Sequence, residues 1–141
     1  MPQKRGSAHW EGGLKDGRGT VSTESGALDA KPYGFAQRFE GERGTNPEEL
    51  VAAAHASCFS MALSKELGDA GITGVSIDTR ATVTLDQVEG GFKVTKSHLD
   101  VSLSASGADE AKLREAAEGA KTNCPISKLL TAEVTMDLTL A

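Results

Sequence analysis

Two spacings of apolar residues recur along the chain, and each predicts a different element. Val75, Ile77, Thr79, Ala81, Val83 and Leu85 alternate with polar neighbours, which is the period of a strand with one buried face. Glu89-Gly90-Gly91 then reads as a hairpin turn. The returning strand starts with Phe92 and Val94 inward and continues with Leu99, Val101 and Leu103. That change of parity predicts a bulge around Ser97. A last strand carries Val134, Met136, Leu138 and Leu140 on one face.

Helical signals lie between these strands. Asn46 is a good N-cap, Pro47 fits the first helical position, and Glu48 and Glu49 suit the positive end of the helix dipole. The run from Leu50 to Leu63 is apolar almost all round, so the helix is expected to be buried on most sides, inside the domain or between subunits, and to end near Gly68 to Gly71. A second helix is expected over Asp109 to Thr122, with Leu113, Ala116, Ala117 and Ala120 on one stripe. Cys124-Pro125 breaks it, and Pro125 suits the start of a short turn through Leu130.

The N-terminal third reads as short strands, Ser7 to Trp10 and Thr20 to Glu24, around the turn Asp16-Gly17-Arg18-Gly19. Tyr33 to Phe39 is expected to be a third strand, on the strength of its aromatic residues. Gly41 to Thr45 reads as a loop. The order strands, helix, two strands, helix, strand predicts an α+β fold with mainly antiparallel strands.

The 141 residues fit one domain, 1–141. A net charge of -5 with no basic stripe argues against a nucleic-acid partner. No apolar run approaches a membrane span, and residues 1–7 lack the apolar core of a secretory signal. The expectation is a cytoplasmic protein in a reducing compartment, without a permanent structural disulfide. The two cysteines lie 66 positions apart, and His9, His55 and His98 show no zinc-ligand spacing with them. Neither a metal nor a cofactor is expected.

Cys58 lies mid-helix among small residues. It is either a small core hydrophobe or a reactive thiol, and the residues alone leave the two readings even. Cys124 precedes a proline that opens a turn, where backbone N–H groups would favour a thiolate; the plainer reading is a helix terminator. On these grounds Cys124 is the more acidic thiol. Arg38 serves either to cover apolar surface with its stem or to supply a permanent cation that lowers the pKa of a cysteine. Glu48 is either a helix N-terminal charge or the bidentate partner that orients Arg38. His55, three positions before Cys58, suggests a Cys/His hydrolase pair, but no Asn or Asp partner and no oxyanion loop accompanies it. Trp10 and Tyr33 read as core or interface aromatics, and Gly12-Gly13 and Gly90-Gly91 as turns rather than phosphate loops.

Several separated segments resemble the OsmC branch of the OsmC/Ohr peroxidases. They are Ala8-His9-Trp10-Glu11-Gly12, residues 19–26, Pro32-Tyr33-Gly34-Phe35, Arg38-Phe39-Glu40-Gly41, Gly44-Thr45-Asn46-Pro47-Glu48-Glu49-Leu50, residues 53–63 and Cys124-Pro125-Ile126-Ser127. The resemblance spans essentially the whole chain. Where the Ohr branch carries Gly-Gly-Arg, this chain has Leu14 after Gly12-Gly13, which favours the OsmC branch.

The resemblance implies antiparallel sheets wrapped around two main helices in an intertwined homodimer, with the sites at the subunit interface. It implies a peroxidatic Cys58, a resolving Cys124, and an arginine–glutamate pair placed at Arg38 and Glu48. It also implies reduction of organic hydroperoxides, with a dithiol reductant such as dihydrolipoyl groups or lipoylated proteins. Phe35, Phe39, Phe59 and Met61 are candidates for an apolar wall that selects alkyl substrates. Glu48 and Cys58 are ten residues apart, about 15 Å on an unbroken helix. A break before Cys58 is therefore expected, setting that thiol near a helix N-terminus. The competing readings are a non-catalytic thiol sensor or small-ligand binder on the same fold, and a structural protein with two inert cysteines.

Overall fold

A computed structural model describes residues 1–141 and divides them into two compact units, Met1–Leu50 and Val51–Ala141. The first unit holds a three-stranded sheet of β1 (Gly6–Glu11), β2 (Arg18–Thr23) and β3 (Lys31–Tyr33), antiparallel throughout. Trp10 and Tyr33 meet across it, tilted at 51° with ring centroids 5.6 Å apart. Gly19 lies between them, where an added Cβ would meet ring atoms of both at 2.6 Å. Only glycine fits there.

The third strand stops at Tyr33. Phe35–Phe39 forms a short helix, α1, instead of the expected strand. Phe35 and Phe39 stand four apart, the helical spacing, and their rings meet at 4.8 Å. Arg38 N–H donates to the Gly34 carbonyl at 3.1 Å, and the Asn46 side chain donates to the Gln37 carbonyl at 3.1 Å. These bonds occupy backbone groups that a strand would have offered to a neighbour.

Helix α2 runs unbroken from Pro47 to Asp69. Asn46 caps it as expected, its Oδ1 accepting from Glu49 N–H at 2.8 Å. The expected break before Cys58 does not occur: no proline or glycine interrupts residues 48–67, and the alanine-rich run is a strong helix former. Burial is also narrower than the composition suggested. His55, Phe59, Leu63 and Leu67, each four apart, are enclosed, whereas Met61 is 77% exposed.

The second unit builds the other sheet, in the order β4 (Val75–Val88), β5 (Gly91–Ala105), β6 (Glu133–Leu140). β4 and β5 form the expected hairpin, closing at Val88 opposite Gly91. Thr84 pairs with Lys96 and Leu85 with Val94, so the extra residue is Thr95, two positions before the expected site of the bulge. Beyond it Ser97, Leu99, Val101 and Leu103 all face inward. Phe92, expected inward, is 58% exposed at the hairpin end.

β6 pairs with β5 in parallel, so this sheet is mixed. A parallel pair needs a crossover, supplied here by α3 (Glu110–Asn123) and α4 (Pro125–Leu129). Asp109 caps α3 by accepting from Ala111 N–H at 3.0 Å. Its stripe of Leu113, Ala116, Ala117 and Ala120 closes a core with Phe59, Leu63 and Leu67 of α2 and Leu99, Val101 and Leu103 of β5. No helix is long and apolar enough to cross a membrane.

Candidate active site

In the first unit, Arg38 and Glu48 come together. α1 presents Arg38 from its last turn and α2 presents Glu48 from its first. Arg38 Nε donates to both carboxylate oxygens, at 3.1 and 3.0 Å, and Nη2 donates to Oε1 at 2.6 Å. The glutamate side chain is 14% exposed and the arginine 36%. A partly buried, forked pair of this kind fixes the plane of the guanidinium. Arg38 also lies over the Phe39 ring, 5.4 Å from its centroid. A cavity of about 150 Å³ beside them is walled by Trp10, Leu14, Tyr33, Phe35, Phe39 and Pro47. The local turn of α1 is what makes this arrangement, because it gathers Phe35, Arg38 and Phe39 on one side.

In the second unit, Cys58 and Cys124 come together. Cys58 is half-buried on α2 and packs against the core that includes the fully buried Cys124. Both are free thiols. Burial pushes the Cys58 thiol up, a hydrogen bond with the Cys124 side chain adds to this, and the backbone N–H of Ile126 pulls it down.

Cys124 is the hinge residue between two helices. Its N–H donates to the Ala120 carbonyl at 2.9 Å, ending α3, and its carbonyl accepts from Lys128 N–H at 3.1 Å, starting α4. It occupies the N-cap position expected from Pro125, but its side chain makes no capping bond there. The amide at the start of α4 favours a thiolate on Cys58 instead. A thiolate at Cys58 thus draws on a helix start other than that of its own helix.

His55 does not pair with a cysteine. Its Nδ1 meets Ser97 Oγ at 2.7 Å and its Nε2 meets Ser127 Oγ at 2.8 Å. Burial lowers its pKa and keeps the ring neutral. Sequence reasoning passed over both serines. Ser97 was visible as a polar residue on an otherwise apolar strand face, and Ser127 as part of the Cys124-Pro125-Ile126-Ser127 segment.

The chemistry available is that of a thiol pair with a separately held, oriented cation. The chain matches the family model described as OsmC-like protein over residues 39–139. It is 56% identical to peroxiredoxin OsmC of Escherichia coli over 137 residues, 97% of this chain and 96% of that one. It is 31% identical to organic hydroperoxide resistance protein OhrB of Bacillus subtilis, over 86% of this chain and 88% of the other. The crystal structure of that OhrB superposes with a TM-score of 0.68 at 27% identity, covering 97% of this chain and 98% of that one. An OsmC-like protein from Vibrio cholerae shares the fold with a TM-score of 0.76 at 19% identity, covering 99% of this chain and 100% of that one.

Proposed function

The chain belongs to the OsmC-like protein family, and from that premise we propose that it is a thiol-dependent peroxidase that reduces organic hydroperoxides to alcohols. The observation that carries this reading is the packing of Cys58 against the core that holds Cys124, both free thiols, one half-buried and the other enclosed. The half-buried thiol is the one a peroxide meets first.

The Cys58 thiolate attacks the outer peroxide oxygen and the O–O bond breaks. The alkoxide leaves and takes up a proton, giving the alcohol, and Cys58 becomes a sulfenic acid. Cys124 then attacks the Cys58 sulfur, the S–O bond breaks, and water leaves as the disulfide forms. A dithiol, of the dihydrolipoyl class, opens that disulfide by exchange and is itself oxidised.

The Ile126 N–H stabilises the Cys58 thiolate. Arg38, held in plane by Glu48, stabilises charge on the thiolate and on the peroxide oxygens. A homodimer is part of the reading, as the resemblance to the OsmC/Ohr peroxidases implies, and Met61, which α2 leaves exposed in the single chain, is placed on its joining face. A cytoplasmic location accords with the reducing conditions the cycle needs.

The test is consumption of cumene hydroperoxide with dihydrolipoamide. The wild type turns over, Cys58→Ser does not, and Cys124→Ser accumulates a sulfenic acid that a cyclic dione traps. A wild type inactive with every dithiol overturns the peroxidase reading in favour of a thiol sensor.

A further inference from the structure

The buried imidazole of His55 is the only side chain described above that ties three elements of the second unit together. It belongs to α2, one turn before Cys58. One ring nitrogen is bonded to Ser97 of β5 at 2.7 Å, the other to Ser127 of α4 at 2.8 Å. The ring has no exposed surface, and neither has Ser97. A neutral imidazole offers one donor and one acceptor, and a serine hydroxyl serves as either, so both bonds form in either tautomer.

Each link is set by a local feature. The bulge at Thr95 turns Ser97 to the inner face of the sheet. Pro125 starts α4, and Ser127 lies two residues on, three after Cys124. α4 has five residues and none fully buried, with Ile126 half-buried against the core, so packing holds it less firmly than α3. The bond from His55 to Ser127 is a side-chain tie between this short helix and α2.

We propose that His55 is a positioning residue for the thiol pair: by fastening α4 to α2 and β5 it holds Cys124 in register with Cys58. It touches neither peroxide nor reductant. The inference rests on the peroxidase reading for its relevance to turnover, since a disulfide forms only when the two Cα atoms lie within about 7 Å. An α4 that is loosely docked spends less time in that range. The effective concentration of one thiol at the other falls accordingly.

The experiment is a disulfide equilibrium without peroxide. The full chain is equilibrated with mixtures of glutathione and glutathione disulfide. Glutathione disulfide takes two electrons from Cys58 and Cys124 and yields two glutathione thiols. The fraction oxidised is read by mass after acid quench and alkylation.

In Ser127→Ala the effective concentration falls about tenfold, which raises the reduction potential by about 30 mV. Ser127→Thr, which keeps a hydroxyl, restores it. His55→Gln keeps a donor and an acceptor and lies between the two, and Ser127 is half-buried, so its variants do not depend on refilling a core position. Thermal melts of the reduced proteins are recorded in parallel. A purely structural role for His55 lowers the melting temperature of Ser127→Ala and leaves the equilibrium within about twofold of wild type. That result overturns the inference and leaves the peroxidase reading standing. A wild type that forms no Cys58–Cys124 disulfide at any ratio sinks both.

Discussion

Arg38 and Glu48 are locked in a forked ion pair, with Nε bonded to both carboxylate oxygens and Nη2 to one of them. Ten residues separate them in sequence, and the loop between α1 and α2 brings them face to face. Surface pairs contribute little to stability, but this one has a partner only 14% exposed and fixes the plane of the guanidinium. The pair therefore matters through orientation more than through stability.

Glu48→Gln keeps the side-chain volume and removes the charge, so the guanidinium loses its plane. Under the proposed function kcat/KM for cumene hydroperoxide drops by about tenfold to a hundredfold, on the order of 1.4 to 2.7 kcal/mol of transition-state stabilisation. Arg38→Lys falls at least as far, because an ammonium does not reproduce the fork. Steady-state kinetics with the folded variants decide this, and a Glu48→Gln enzyme within twofold of wild type refutes the orienting role.

The Cys124 thiol helps to push Cys58 up through its hydrogen bond, so removing it acts in the opposite direction. Cys124→Ala should alkylate at Cys58 severalfold faster than the reduced wild type at pH 7.5, as a larger share of Cys58 is thiolate there. Iodoacetamide labelling, with the site confirmed by peptide mass, gives the rate. A slower Cys58 in this variant contradicts the assigned hydrogen bond.

His55 is held below the ordinary histidine value of 6.5 by burial. The unfolded chain therefore binds a proton at this residue before the folded chain does. Stability from this group is present above about pH 6.5 and is lost as pH falls toward the folded pKa, with a slope approaching about 1.4 kcal/mol per pH unit. In His55→Gln that loss disappears while the other titrating groups remain. Urea melts between pH 5 and 8, wild type against variant, show the difference; parallel curves refute it.

Leu63 and Met61 lie two residues apart on α2 with opposite burial, 0% against 77% exposed. Leu63→Ala leaves a cavity in the core of the second unit and costs about 2–5 kcal/mol in a urea melt. Met61→Asp leaves that core intact. Under the homodimer reading it shifts the protein toward monomer in sedimentation equilibrium, since a charge then lies on the joining face. A dimer unmoved by Met61→Asp places the subunit contact elsewhere.

Residues whose role is local were legible in the sequence. Asn46 and Pro47 start α2, Asp109 starts α3, and Cys124-Pro125 separates α3 from α4, because caps and proline act on backbone groups within a few residues. The alternation from Val75 and the turn at Glu89-Gly90 likewise announced the β4–β5 hairpin. The aromatic residues from Tyr33 to Phe39 misled, because bulky side chains favour strands on average while the four-residue spacing of Phe35 and Phe39 suits a helix. The break before Cys58 was an inference from distance, and nothing in the local chemistry of residues 48–67 required it.

Short-range signals in the chain were enough for the starts of α2 and α3, the β4–β5 hairpin, the apolar stripe of α3, and the inventory of thiol, guanidinium and carboxylate side chains. Long-range packing set the partners: Ser97 and Ser127 for His55, a mixed sheet with β6 parallel to β5, and an amide from α4 for Cys58. The physical reason is one of range. Propensity and capping act over three or four positions, whereas His55 and Ser127 are 72 positions apart. Their contact exists because a bulge, a crossover and a packed core bring α4 back to α2.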